Sequence, residues 1–243
     1  MVVDTMAHRR FLVTGASRGI GRAIADALGA DGHDVVGLAR HPDGSFPGEL
    51  RQVDLADAAA LEAALAGLAE EHFDGLVNNV GSVHPAALDD VEWTCLEAAM
   101  WLNLGTALAL TQAVLPGLRA QGWGRIVNIS SVSALGIVER TSYVAAKSAL
   151  IGVTRAWALE LATSGVTVNA VAPGPIETEL YVATNPPGSP SAARHLASVP
   201  MKRLGRPSEV ASAVRFLASD SASFITGQTI FVDGGASIGK LAL

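Results

Sequence analysis

The stretch Phe11-Leu-Val-Thr-Gly15-Ala-Ser-Arg-Gly19-Ile-Gly21 decides the fold of this chain. A short apolar strand runs directly into three glycines, and a helical pattern from Ile20 to Ala30 follows. Glycine permits a tight turn and a close approach of the backbone to a ligand, and the free N–H groups at the start of a helix attract anions. The stretch therefore predicts a phosphate-binding turn between the first strand and the first helix.

The rest of the chain repeats this alternation of strand and helix. The predicted strands are Phe11–Thr14, Asp34–Ala39, Leu50–Val53, Gly75–Asn78, Gly124–Ser130, Val166–Val171 and Thr229–Val232. Further helices are predicted over Ala58–Glu71, Asp89–Arg119 (one or two helices), Ser142–Ala162 and Ser208–Ala218. Continuous apolar strands that alternate with helices indicate an α/β fold with a seven-stranded parallel sheet, covered by helices on both faces. Since no linker divides the chain, we expect one domain over residues 1–243.

Two segments depart from this pattern. Residues 1–8 are predicted to be a loose extension before the first strand. Residues 181–199 contain Asn185-Pro-Pro-Gly-Ser-Pro190, which interrupts regular structure. We interpret this segment as a mobile lid over a substrate site rather than as a missed helix or strand. The alternative is a surface insertion without a role in binding.

Tyr143 and Lys147 lie four residues apart in the last long helix before the sixth strand. Residues at this spacing share one face of a helix, so a phenol and an ammonium group would project side by side. An adjacent cation favours the phenolate. The pair is therefore interpreted as a tyrosine whose pKa is lowered, so that it can transfer a proton near neutral pH.

Composition excludes several classes of function. The formal net charge of −6 leaves no basic surface for nucleic acid. The single cysteine, Cys95, cannot form an internal disulfide, which fits a reducing cytoplasm. No apolar run reaches the roughly 18 residues of a membrane span, and no histidine has metal-ligand spacing, so we expect no membrane partner and no metal.

The end of the second strand bears on the choice of cofactor. A dinucleotide site that selects NAD(H) often has an acidic residue there, which binds the ribose 2′-hydroxyl. This strand instead runs into Arg40, while Arg18 lies within the glycine turn. Guanidinium groups pair well with a 2′-phosphate, so NADP(H) is favoured over NAD(H). The alternative is that both arginines are ordinary surface charges.

Together these residues resemble the short-chain dehydrogenase/reductase family over nearly the whole chain, from Phe11 to Gly235. The motifs that carry the resemblance are Thr14-Gly-Ala-Ser-Arg-Gly-Ile-Gly21, Asn78-Asn-Val-Gly81, Asn103, Ile129-Ser-Ser131, Tyr143-x-x-x-Lys147, Pro173-Gly-Pro-Ile176 and Val232-Asp-Gly-Gly235. The resemblance implies a doubly wound, Rossmann-like fold, a nicotinamide cofactor and hydride transfer between a ketone and an alcohol.

It also implies roles for individual residues. Tyr143 would be the general acid or base, Lys147 would lower its pKa and hold the nicotinamide ribose, and Ser131 would bind the substrate oxygen. Asn103 would hold a water molecule that relays protons to Lys147. The spacing from serine to tyrosine is shorter by one residue than in many members, which leaves Ser130 as an alternative to Ser131. The expected cofactor contacts are Gly15, Ser17, Arg18, Gly19, Ile20, Gly21, Arg40, Asp54, Leu55, Asn79, Gly81, Tyr143, Lys147, Pro173, Gly174, Ile176 and Thr178.

The substrate is less well defined. The general resemblance is to 3-oxoacyl-acyl-carrier-protein reductases and to related carbonyl reductases. Members that bind the acidic carrier protein tend to have basic residues where this chain has residues 120–124 and 162–165, which are uncharged. We therefore favour a small ketone or alcohol as substrate, with the carrier-bound 3-oxoacyl group as the alternative. A cofactor-sensing protein without catalysis is a third hypothesis. Family relatives are mostly tetramers, so we expect a homotetramer in the cytoplasm.

Overall fold

The computed structural model describes residues 7–239, except for the side chains of residues 180 and 184. Within this range the strands are β1 (Arg10–Thr14), β2 (Asp34–Ala39), β3 (Glu49–Gln52), β4 (Gly75–Asn78), β5 (Gly124–Ile129), β6 (Val166–Pro173) and β7 (Thr229–Val232). The helices are α1 (Gly19–Ala30), α2 (Ala58–Ala69), α3 (Trp93–Met100), α4 (Thr106–Gln121), α5 (Thr141–Leu161), α6 (Glu179–Thr184), α7 (Pro190–Ser198) and α8 (Pro207–Leu217).

The seven described strands form one parallel sheet in the order β3-β2-β1-β4-β5-β6-β7. This confirms the predicted fold class, a doubly wound parallel sheet. The strand order reverses between β1 and β4, and ligands of such sheets bind at the carboxyl ends of the strands beside this reversal. The single-domain assignment for residues 1–243 stays a prediction, and the expected extension lies mostly outside the described residues.

Apolar side chains cover both faces of the sheet. On one face, Ile24 and Leu28 of α1 pack with Val210 and Val214 of α8. On the other face, α2, α4 and α5 contribute a second cluster that includes Leu61, Leu110, Leu118 and Leu161. The central strands are buried on both sides, which explains their continuous apolar sequences.

The region predicted to hold one or two helices over Asp89–Arg119 is helical from Trp93 to Gln121, with one π-helical turn at Trp101–Gly105. By length and mean hydropathy alone, this helical run could cross a membrane. One such helix is weak evidence for a membrane span, because core helices of globular proteins satisfy the same criteria. Here its buried side, including Leu110, Val114 and Leu118, packs into the core beside the sheet.

The interpretation of residues 181–199 as a segment without regular structure was wrong, because α6 and α7 occupy most of it. The Thr178 hydroxyl caps α6 by accepting from the Tyr181 N–H at 3.1 Å. The Ser189 hydroxyl caps α7 by accepting from the Ala192 N–H at 3.2 Å, and Pro190 occupies the first turn. The serine and proline that interrupt the pattern therefore start a helix. Whether the two helices act as a lid stays a prediction.

Candidate active site

The glycine turn between β1 and α1 leaves room for a ligand backbone. Gly15 and Gly19 have φ angles of 63° and 57°, which favour glycine over other residues. A Cβ atom on Gly21 would lie 2.3 Å from the carbonyl oxygen of Gly15, so only glycine fits there. Arg18 caps α1 without a side-chain hydrogen bond. The first N–H groups of α1 therefore remain available to phosphate, and this cradle fits a dinucleotide.

Thr14 and Asn79 hold the turn against the end of β4. The Thr14 hydroxyl accepts from the backbone N–H groups of Asn79 and Val80, each at 2.9 Å. The Asn79 side-chain amide donates to the carbonyl oxygen of Thr14 at 2.8 Å and to that of Gly15 at 3.3 Å. Asn79 thus braces the turn in this structure, while its expected position beside the adenine ribose stays a prediction.

Arg18 and Arg40 lie on the same edge of the sheet. The N–H of Gly15 donates to the carbonyl oxygen of Leu38 at 2.8 Å, which places the glycine turn beside the end of β2. Both arginines are exposed, and no carboxylate among residues 7–239 forms an ion pair with either. Two guanidinium groups without a carboxylate partner in that range are thus available to an anion near the turn.

Asp54 and Leu55 follow β3 at the same edge. The Val53 N–H donates to the carbonyl oxygen of Ala39 at 2.8 Å, which aligns this segment with the end of β2. Asp54 is exposed, and its carboxylate accepts from the Ala56 N–H at 3.0 Å. Leu55 is buried in the core. This placement is compatible with the expected contact to an adenine ring, and that contact stays a prediction.

Lys147 is buried in the centre of the site. Its ammonium group donates to the carbonyl oxygen of Ile129 at 2.8 Å. A Cβ atom on Gly81 would lie 3.2 Å from the Lys147 Nζ atom and 2.4 Å from the Asn103 Oδ1 atom. The end of β4, the π-helical turn and α5 therefore meet here, and the structure brings Gly81, Asn103 and Lys147 together.

Asn103 lies in the π-helical turn and is also buried. Its side-chain amide donates to the carbonyl oxygen of Ala99 at 2.9 Å and to that of Ser82 at 3.4 Å. Its Oδ1 atom is buried without a hydrogen-bond partner among the described residues. Since buried polar atoms are rarely left unpaired, a water molecule beside Oδ1 would satisfy it. The arrangement is compatible with the expected water relay.

The two serines after β5 have different surroundings. The Ser130 hydroxyl is buried and donates to the carbonyl oxygen of Lys147 at 2.7 Å, which joins β5 to α5. The Ser131 hydroxyl accepts from the Ser133 N–H at 3.1 Å and hydrogen-bonds with the Tyr143 hydroxyl. Of the two candidates, Ser131 is the serine that the structure places beside the tyrosine.

The expected lowering of the Tyr143 pKa by Lys147 is absent from this structure. Burial raises the pKa of Tyr143 above its usual value, and the hydrogen bond with Ser131 offsets only part of that effect. Burial also lowers the pKa of Lys147 to about 7, so that its ammonium group is only partly charged near neutral pH. The sequence argument assumed a solvated, fully charged lysine, whereas removal from water disfavours the charged form of both groups.

Pro173, Gly174, Ile176 and Thr178 border the site on the side of β6. The Gly174 N–H donates to the carbonyl oxygen of Val232 at 3.0 Å, and Ile176 forms an isolated bridge with Gly205. A Cβ atom on Gly19 would lie 3.4 Å from the Thr178 side chain. Thr178, at the start of α6, therefore faces the glycine turn across the crevice. Ser17 and Ile20 lie within or directly after the turn.

Arg140 is a residue of the site region that the sequence analysis missed. It is the residue before α5, three positions ahead of Tyr143, and it forms an isolated bridge with Ala86. The sequence does indicate that Arg140 lies near the site, because it directly precedes the helix that contains the tyrosine. The His195 side chain of α7 forms no hydrogen bond with Tyr143 or Lys147 among the residues that the structure describes.

The glycine turn is tested by a pair of substitutions. Gly21→Ala places a methyl group against the Gly15 carbonyl, and we expect it to weaken dinucleotide binding at least about tenfold and to destabilise the fold by roughly 1–3 kcal/mol. The control is Gly67→Ala in α2, where a Cβ atom meets nothing within 4 Å. Fluorescence titration and urea unfolding measure both effects. Equal cofactor affinity in the two variants would contradict the proposed cradle.

The buried lysine makes stability depend on pH. Because the pKa of Lys147 falls to about 7 in the folded protein, the unfolded chain binds more protons between that pH and the usual lysine value of about 10.4, so stability should rise with pH there. Lys147→Met should remove this rise, measured as the free energy of unfolding at about pH 7.5 and pH 9.5. Lys202→Met, at an exposed position, is the control. If the free energy of unfolding depended on pH identically in Lys147→Met and in the unsubstituted protein, the prediction would be wrong.

Comparison with known proteins agrees with this geometry. A family model described as enoyl-(acyl carrier protein) reductase matches residues 15–237. The 3-oxoacyl-[acyl-carrier-protein] reductase FabG of Vibrio cholerae is 41% identical over 238 residues, which cover 92% of this chain and 95% of that protein. Two of the similar solved structures are each 33% identical to this chain. The aldohexose dehydrogenase of Thermoplasma acidophilum has a TM-score of 0.88 and covers 99% of this chain and 98% of its own.

The second structure is a candidate 2-deoxy-d-gluconate 3-dehydrogenase of Agrobacterium tumefaciens with bound NADP, which has a TM-score of 0.89 and covers 98% of this chain and 100% of its own. The sequence identity, the coverage and the strand order all agree with the motifs in the crevice. The chain therefore belongs to the short-chain dehydrogenase/reductase family of nicotinamide-dependent oxidoreductases.

Proposed function

We propose that this oxidoreductase interconverts a small ketone and a secondary alcohol with NADP(H), and that Tyr143 is its general acid and base. The observation that carries the proposal is the position of the Lys147 Nζ atom, 5.7 Å from the centroid of the Tyr143 ring, with the Ser131 hydroxyl beside that of Tyr143. These groups lie at the carboxyl edge of the sheet, beside the glycine turn that fits a dinucleotide.

A nicotinamide bound in this crevice supplies the hydride in reduction and accepts it in oxidation. The Tyr143 hydroxyl gives its proton to the carbonyl oxygen in reduction and takes the proton of the alcohol in oxidation. The Ser131 hydroxyl accepts from the Ser133 N–H, and its own proton would turn from the Tyr143 oxygen to the substrate oxygen as negative charge develops there. Lys147 and a water molecule at Asn103 would return the proton to Tyr143.

The preference for NADP(H) rests on Arg18 and Arg40. Both guanidinium groups lie near the glycine turn without a carboxylate partner among the described residues, as a 2′-phosphate site requires. The bound NADP of the related structure from Agrobacterium tumefaciens supports the same choice. No acidic residue ends β2, where an NAD(H) site would have one.

Reduction of a carrier-bound 3-oxoacyl group is the second candidate. The identity of 41% to the FabG reductase of Vibrio cholerae favours it. Against it stand the net charge of −6 and the uncharged residues 120–124 and 162–165, which give little attraction to an acidic carrier. A small ketone or alcohol therefore remains the better-supported substrate.

We further propose a homotetramer located in the cytoplasm, with neither nucleic acid nor membrane as a partner. Two separate surfaces carry exposed apolar side chains. One lies on the long helices and includes Trp101, Leu108 and Leu159, and the other lies near the edge strand β7 and includes Phe216 and Phe224. Phe224 is fully exposed, which is unusual for a large apolar residue that no partner covers. Two self-complementary surfaces would give a dihedral tetramer.

Catalysis by Tyr143 is tested with Tyr143→Phe, which removes the hydroxyl and keeps the ring. We expect kcat for any accepted ketone to fall by about a hundredfold to ten-thousandfold. The dissociation constant for NADPH should change little. Unchanged kcat in the variant would contradict the assignment of Tyr143 as the general acid. If the unsubstituted protein binds cofactor but turns over no ketone or alcohol, it is a cofactor sensor instead.

Cofactor choice is tested with Arg40→Asp. The unsubstituted protein should have a higher kcat/KM for NADPH than for NADH, and the carboxylate should repel the 2′-phosphate and reverse this order. Loss of one charge-assisted contact predicts a drop of roughly tenfold to a hundredfold for NADPH. Arg119→Asp, at an exposed residue near the end of α4, is the control. An unsubstituted protein that prefers NADH would contradict the assignment.

The assembly is tested by light scattering. We expect the mass of four chains, and we expect Phe224→Asp and Leu159→Asp each to reduce it to two, because a charge at the centre of an apolar interface is costly to bury. Leu88→Asp, at an exposed leucine outside both surfaces, is the control. A monomer at micromolar concentration in the unsubstituted protein would rule out the tetramer.

A further inference from the structure

A buried polar contact joins β5 to α5. The Asn128 side-chain amide donates to the Thr154 hydroxyl at 2.9 Å, and that hydroxyl donates to the carbonyl oxygen of Leu150 at 2.7 Å. Asn128 and Thr154 have no exposed surface. The Thr154 oxygen therefore accepts from the strand while its proton goes to the helix, so the contact has one defined direction and geometry.

Asn128 is held from a second side by β4. The Asn78 side-chain amide donates to the Asn128 Oδ1 atom at 2.9 Å, and the two residues are register partners in the sheet. The same amide donates to the Thr111 hydroxyl of α4 at 3.4 Å. Asn78 and Thr111 are buried as well. A buried polar group that loses its partner costs free energy, so this network resists displacement of its members.

Polar groups also join α5 to β5 at the level of Lys147. The carbonyl oxygen of Ile129 accepts from the Lys147 Nζ atom at 2.8 Å, and the Ser130 hydroxyl donates to the Lys147 carbonyl oxygen at 2.7 Å. Thr154 follows Lys147 by seven residues, which is about two helical turns and a rise of about 10 Å on the same face. Two contacts this far apart fix both the position and the tilt of α5, whereas one contact leaves the helix free to pivot.

Apolar packing does not supply this restraint. Ala158 and Leu161, farther along α5, belong to the core cluster on this face of the sheet. Hydrophobic contacts are non-directional, so they tolerate small shifts of a helix along its axis. A hydrogen bond, by contrast, weakens steeply when its angle changes. The register of Lys147 against β5 therefore depends on polar contacts such as that of Thr154.

We propose that Asn128 and Thr154 are positioning residues, whose hydrogen bond holds Tyr143 and Lys147 where they act on bound substrate and cofactor. The inference rests on the proposed function. Because neither side chain has exposed surface, neither touches a ligand, and any effect on the reaction passes through α5. A displacement of about 1 Å at reacting groups can lower a rate about a hundredfold.

The direct test is a matched pair of substitutions at Thr154. Thr154→Val replaces the hydroxyl with a methyl group and leaves the Asn128 amide without this acceptor, while Thr154→Ser keeps the hydroxyl and removes the methyl group instead. We expect Thr154→Val to lower kcat for an accepted ketone by roughly tenfold to a hundredfold. Thr154→Ser should stay within about threefold of the unsubstituted enzyme. The dissociation constant for NADPH should change by less than about threefold in both, because the glycine turn is unaltered.

The pH dependence of stability gives a second readout, which does not need activity. Burial lowers the pKa of Lys147 to about 7, so stability should rise with pH above that value. A shifted α5 in Thr154→Val would let water reach the ammonium group, which returns its pKa toward the ordinary value. We expect the rise in the free energy of unfolding between about pH 7.5 and pH 9.5 to fall by at least about half in Thr154→Val and to persist in Thr154→Ser.

Further variants control for a general loss of stability. Leu68→Ala removes a buried side chain of α2 and should destabilise the fold without changing kcat or the pH dependence of stability. Thr167→Val removes a buried hydroxyl of β6 that has no hydrogen-bond partner among the described residues, and it should change neither quantity. If Thr154→Val does not fold, Thr154→Ala takes its place, because it removes the same hydroxyl and leaves room for a water molecule beside Asn128.

The possible results separate the two proposals. If kcat or the pH dependence of stability were unchanged in Thr154→Val, the positioning role would be wrong. Equal losses in Thr154→Ser or in Leu68→Ala would also overturn it, because packing or general stability would then be responsible rather than the hydrogen bond. If the unsubstituted protein turned over no ketone or alcohol with either cofactor, the proposed function would be wrong, and the pH dependence of stability would still decide whether Thr154 positions Lys147.

Discussion

The ammonium group of Lys147 lies inside the protein and donates to the carbonyl oxygen of Ile129 at 2.8 Å. Burying a lysine costs free energy, and three segments of the chain contact this side chain or fix its backbone. Gly81 leaves room beside it, the π-helical turn brings Asn103 next to it, and Ser130 holds the backbone of α5 at Lys147 against β5. The geometry of the candidate active site depends on this one buried lysine.

Burial also determines the pKa of Tyr143 and of Lys147. Removal from water raises the pKa of Tyr143 and lowers the pKa of Lys147 to about 7. A partly neutral lysine stabilises a phenolate only weakly. Any negative charge that binds nearby would favour the ammonium form, which in turn would favour the phenolate.

Helices α6 and α7 show where sequence patterns mislead. Proline, glycine and serine indicated irregular structure, yet Ser189 and Pro190 start α7, and Thr178 starts α6. Capping residues and turn residues are the same amino acids, so composition alone does not tell a helix start from a loop. These two helices form most of the segment that was interpreted as a lid over the substrate site, so the error concerned that segment.

The sequence by itself determined the parallel sheet, the glycine turn and the shared face of Tyr143 and Lys147. These features depend on neighbours within a few residues and on continuous apolar strands, which the chain displays directly. Only the tertiary structure decided that Ser131 rather than Ser130 lies beside Tyr143, that burial raises the pKa of Tyr143, and that burial lowers the pKa of Lys147 to about 7. Each of these depends on distances between segments far apart in the chain and on the water they exclude, and no local spacing encodes such quantities.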